Sequence, residues 1–143
     1  MIILRSEFGR DDPASLMRHG VGAALAAIAE AGTDDAWMDD VLIVVSELVQ
    51  NVLQHTPAGG ELTLYTTASG VLIEVADTVA TEPRLQHPDA RRAGGRGLLL
   101  IDAMSLAWGT RCRDTGKTVW ALMPAPATAD SIRPSSDGRV AAS

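Results

Sequence analysis

Val45-Ser46-Glu47-Leu48-Val49-Gln50-Asn51-Val52-Leu53-Gln54-His55 decides how the rest of this chain is read. It sets a carboxylate, an amide and an imidazole at positions 47, 51 and 55, one helical turn apart, inside an otherwise apolar run. Side chains at i, i+4 and i+8 share one side of an α-helix, so all three can face a single site. At roughly 100° per residue, Val41, Val44, Val45, Leu48 and Val52 fall in one apolar stripe. Leu42, Val49 and Leu53 widen the stripe on one flank, while Glu47, Asn51 and Gln54 cluster on the other. His55 lies nearer the stripe, at the helix end. A buried charge or amide is costly without a partner, so a ligand or metal would account for the row. A polar helix surface with no ligand satisfies the same spacing.

Outward from this helix, the chain reads as alternating short elements. Residues 2–8 are β-prone and suit an edge strand. Asp11-Asp12-Pro13 reads as an acidic cap with proline in the first turn, opening a helix through Leu16, Met17, Ala23, Ala24, Ala27 and Ile28 that stops at Gly32. Thr33-Asp34-Asp35 opens the central helix, and Thr56-Pro57-Ala58-Gly59-Gly60 breaks it. Residues 62–66 and 71–76 form a hairpin across Ser69-Gly70. Residues 78–94 show no sustained period and read as a long loop, a form common in lids and binding loops. Leu98 begins a third helix that ends near Gly109, and Trp108–Arg113 and Lys117–Met123 pair across Asp114-Thr115-Gly116. From Pro124 the composition turns to Pro, Ala, Ser, Asp and Gly, predicting one domain over 1–123 and a disordered tail over 124–143. The order β-α-α-β-β-α-β-β predicts an α/β two-layer sandwich, a mixed, mostly antiparallel sheet with three helices on one face.

Composition narrows the function classes. A chain of 143 residues, 46% hydrophobic and 21% charged, supports one ordinary core and excludes wholesale disorder. Aromatics are 3%, so aliphatic side chains must build that core. The net charge of -6 argues against direct nucleic-acid binding, which needs a basic stripe. With Cys112 alone, neither a disulfide framework nor a thiolate zinc site can form within the chain. No apolar run approaches the roughly 20 residues of a membrane span, and Met1–Glu7 lacks a signal peptide's pattern, which predicts no membrane association and a cytoplasmic setting.

Three pieces can carry chemistry. The Glu47/Asn51 pair suits a magnesium site beside phosphates, because Mg²⁺ takes oxygen ligands and typically draws few of them from protein. A carboxylate one turn away can orient or deprotonate a hydroxyl or water. Asp77, closing the strand before the long loop, can accept a hydrogen bond from an exocyclic amine such as adenine's, although a turn-forming aspartate fits the position too. Gly94-Gly95-Arg96-Gly97-Leu98 places glycines at a helix start, where backbone amides approach anions. It matches neither the P-loop nor the dinucleotide fingerprint, and a glycine hinge explains it equally.

Together, Glu47-x-x-x-Asn51-x-x-Gln54-His55, Asp77, Gly95-x-Gly97-Leu98 and Gly116-Lys117-Thr118 resemble the ATPase/kinase superfamily of gyrase, Hsp90, histidine kinases and MutL. Over roughly residues 5–123 the chain looks most like the anti-sigma-factor serine kinases of bacteria, in particular their small actinobacterial ATP-binding relatives. The resemblance implies ATP and Mg²⁺ as cofactors, Asn51 as metal ligand and Glu47 as general base. It also implies Asp77 on the adenine amine with Thr118 supporting it, and Gly95, Gly97 and Leu98 around the phosphates. As partners it implies an antagonist protein phosphorylated on serine or a sequestered sigma factor, and a homodimer through the first strand or helix. A nucleotide-gated binding module without kinase activity is the alternative. Where the family usually continues Asp-x-Gly-x-Gly, this chain has Asp77-Thr78-Val79-Ala80, which implies a base held differently.

Overall fold

The computed structural model describes residues 1–29, 35–55, 58–77, 95–113 and 116–126. Eight elements follow one another: β1 (Ile2–Phe8), α1 (Ala14–Ile28), α2 (Asp35–His55), β2 (Gly60–Thr66), β3 (Gly70–Asp77), α3 (Gly95–Met104), β4 (Ala107–Arg113) and β5 (Gly116–Pro124). The strands form one five-stranded sheet in the order β1-β2-β3-β5-β4, and every described pairing is antiparallel. The crossing through α3 carries the chain to the outer edge, and the hairpin back lays β5 against β3. The result is the expected α/β two-layer sandwich with its three helices on one face.

Alternation along the strands fills the core. Leu62, Leu64, Val71, Ile73, Val75, Val119, Ala121 and Met123 are all buried and meet the stripe Val41, Val44, Val45, Leu48 and Val52 of α2. Leu48 is fully enclosed, and burial of one such side chain stabilises by about 1.5–3 kcal/mol. The central helix therefore spans the sheet, with α1 over β1 and α3 beside β4.

Local differences from the sequence expectation have local causes. Asp12 does not cap α1; its carboxylate accepts the Gly9 N–H at 2.6 Å, tightening the turn out of β1, and the extended Pro13 occupies the cap position. The third helix opens at Gly95 and ends at Met104, short of Gly109. The Leu106 N–H donates to Leu122 O at 2.8 Å, so pairing with β5 captures the chain before another turn can form. The predicted stop at Gly32, the cap at Thr33-Asp34, the loop 78–94 and the tail from 127 onward lie outside the described residues. Among the described residues, no helix is long and apolar enough to cross a membrane.

Candidate functional site

Chain direction alone brings the candidate residues to one end of the sheet. Phe8, Gly60, Asp77, Arg113 and Gly116 are the strand termini at that end. α2 arrives there through His55, and its next strand begins at Gly60. Because α3 feeds β4 from the opposite end, its own start at Gly95 is the end nearer Asp77. Gly59, at φ 104°, makes the sharp reversal into β2, where a Cβ would stand 2.1 Å from Phe8 O.

Glu47 and Asn51 are both half-buried on α2. Glu47 faces the first turn of α3: a Cβ built on Gly97 would lie 2.3 Å from its Oε2 and 3.3 Å from its Cδ. The missing Cβ at Gly97 is what lets the carboxylate sit against the turn that opens the helix. Leu98, the next residue, is buried and anchors that turn in the core. The close approach of Gly97 to Glu47 thus sets the start of α3 against the α2 row.

Asn51 carries the most telling detail. Its Oδ1 is fully enclosed yet finds no hydrogen-bond partner among the described residues. A buried carbonyl oxygen without a donor costs about 1–3 kcal/mol, and a hard cation is a fitting partner for it. Among the described residues, no three His, Cys, Asp or Glu side chains cluster as metal ligands. Magnesium held by one amide oxygen, with phosphates and water completing its shell, matches this donor set.

Asp77 ends β3 opposite Gly60. The β3–β5 ladder runs as far as Ala76 opposite Thr118; one residue further, the Lys117 N–H donates to Asp77 Oδ1 at 3.3 Å. The carboxylate therefore takes the place of a ladder carbonyl. Thr118 is also buried, but it lies in register with Ala76 and so belongs to the opposite sheet face from Asp77. The sequence reading missed Lys117, which shares the face of Asp77. The only sequence signal was the alternation of Val119, Ala121 and Met123, and Trp120 and Leu122 obscure it by making both faces of β5 apolar.

A carboxylate set against a glycine-opened helix, a buried amide oxygen one turn along the same helix and an aspartate at a strand end lie toward one end of an α/β sandwich. The particular family follows from comparison: the model of the histidine kinase-like ATPase domain matches residues 10–123, and the chain belongs to that family. A search of curated proteins returns no match. Membership makes this an ATP-binding domain.

Proposed function

We propose that the protein is an ATP-dependent regulator of the anti-sigma-factor kinase type, passing the γ-phosphate of ATP to a serine of an antagonist protein, sequestering a sigma factor, or both. The observation that carries this reading is the seat of Glu47 against Gly97, a base held at the helix turn where phosphates bind. In this scheme Asn51 Oδ1 holds magnesium, and the amides of Gly95, Gly97 and Leu98 cradle the phosphates. Magnesium supplies charge neutralisation along the triphosphate. Asp77 accepts from the adenine amine, with Thr118 on the adjacent strand supporting it through water. Glu47 accepts the proton of the serine hydroxyl as its oxygen bonds to the γ-phosphorus and ADP departs.

Incubation with radiolabelled ATP and candidate antagonists tests the scheme. Label should appear on the acceptor serine with wild type and be lost with Glu47→Ala; equal labelling by both proteins would refute it. A homodimer belongs to the same reading, since β1 is an edge strand of the sheet among the described residues.

The Asp77-Thr78-Val79-Ala80 segment, which has no glycine, favours a second reading in which ATP binding shapes a surface for a protein partner and no phosphate moves. Saturable, Mg²⁺-dependent ATP binding without transfer to any acceptor, together with partner capture only when nucleotide is bound, would select it.

A further inference from the structure

The β5 register points to a role for Lys117, the residue of the Gly116-Lys117-Thr118 motif that the resemblance left without one. Val75 pairs with Val119, and both are buried against the helices. Successive residues alternate faces, so Asp77 and Lys117 belong to that same helix-side face. Lys117 is half-buried there, opposite the exposed Cys112 on β4, and its own amide already holds Asp77 Oδ1. The Lys117 side chain therefore leaves the sheet on the face of the Asp77 carboxylate, one strand over.

We propose that Lys117 is the second base-recognition residue of the pocket. Its amide fixes the Asp77 carboxylate, and its ammonium donates to a ring nitrogen flanking the exocyclic amine that Asp77 accepts. Adenine offers a donor amine with acceptor nitrogens beside it, and a carboxylate next to an ammonium is the complement of that edge. The chemical class selected is a 6-aminopurine nucleotide. This inference rests on ATP being the ligand and on Asp77 reading the base; it is independent of whether phosphate is transferred.

Calorimetric titration of the full chain with Mg-ATP and Mg-ADP tests it, using wild type, Lys117→Met, Lys117→Arg and Thr110→Val. Methionine keeps the amide and the length of the side chain, so only the ammonium is lost. The expectation is a loss of about tenfold or more for Lys117→Met, the size of a hydrogen bond to a charged group. That factor should be the same for ATP and ADP, since the contact is to the base. Lys117→Arg should recover much of the affinity, and Thr110→Val, exposed on β4, should leave it within about twofold. Unchanged affinity in Lys117→Met would overturn the proposal. So would a loss markedly larger for ATP than for ADP, which would assign the ammonium to the phosphates. Wild type that binds neither nucleotide would instead remove the ATP reading itself. Should Lys117→Met melt far below wild type, Lys117→Gln supplies the neutral variant, and an affinity equal to wild type there overturns the proposal equally.

Discussion

Replacing Gly97 with alanine separates stability from turnover. A Cβ at this position would stand 2.3 Å from Glu47 Oε2, whereas ordinary contact begins at 3.4 Å. The obstructing atoms belong to the end of a flexible side chain, so the carboxylate, not the backbone, gives way. Its forced displacement is about 1 Å, and a misplacement of that size in a catalytic group costs about 100-fold in rate, equivalent to about 2.7 kcal/mol in the barrier. On the stability side, alanine in place of glycine in a helix gains up to about 1 kcal/mol, while an off-rotamer Glu47 loses about 0.5–1.5 kcal/mol. These nearly cancel, so the melting temperature should move by only a few degrees. The assay is steady-state ATP turnover or acceptor labelling, with thermal melts and nucleotide titrations on the same preparations. Gly97→Ala should keep ATP affinity within a few-fold and lose about 100-fold in kcat. Because the effect passes through Glu47, Gly97→Ala combined with Glu47→Gln should be no slower than Glu47→Gln alone. Turnover of Gly97→Ala within threefold of wild type, or a strictly additive double variant, would refute the reasoning.

Asn51→Leu removes a buried oxygen that lacks a donor, so the nucleotide-free protein should be as stable as wild type or more stable by about 1 kcal/mol; the same variant should bind ATP without the Mg²⁺ dependence of wild type, read by titration with and without EDTA. Trp37 Nε1 donates to Pro124 O at 2.7 Å, tying the start of α2 to the end of β5. Trp37→Phe should therefore cost about 1 kcal/mol by urea denaturation, with ATP affinity unchanged. Tyr65 has its phenol raised above the ordinary value of 10.0, first by burial and then by the neighbouring Glu74 carboxylate. A folded-state value raised in this way favours the neutral phenol, so its contribution to stability is full below pH 10 and falls as pH rises through the raised value. Absorbance titration near the phenolate band should show this, and Glu74→Gln should bring the transition back toward pH 10.

The parts of the fold legible in the sequence are those where one periodicity dominates. The α2 stripe could be assigned because its apolar positions leave a single polar flank, and the β2–β3 hairpin because Thr67–Gly70 carries turn chemistry between alternating runs. The Thr67 hydroxyl there donates to Gly70 O at 2.9 Å and accepts the Gly70 N–H at 3.0 Å. Helix ends were less legible, because they depend on tertiary capture. Asp12 prefers the Gly9 amide to a capping role, and Leu106 leaves the α3 path to pair with Leu122. In the site, Glu47, Asn51 and Gly97 could be grouped from helical spacing and a glycine-opened helix. The partner of Asp77 could not. Whether Lys117 or Thr118 faces it is a matter of strand parity, fixed only once Ala76 is seen opposite Thr118.

The two ends of the sheet differ in a way that bears on function. At the end holding the Thr67–Gly70 turn and the Trp37–Pro124 contact, polar groups are matched within the chain. At the other end local rules are broken together: an amide oxygen is buried without a donor, a glycine stands in a helix turn against a carboxylate, and a lysine is half-buried on the core face. Each is unfavourable or neutral for folding alone, and under the proposed reading a magnesium-bound purine nucleotide would supply the missing partners. Stability lost at such a site is recovered through binding by RT ln(1 + [L]/Kd), about 2.7 kcal/mol at a ligand concentration 100 times Kd. Clustering of these departures around Asn51, Gly97 and Asp77, and not across the core, is what a domain shaped for occupancy by ATP requires.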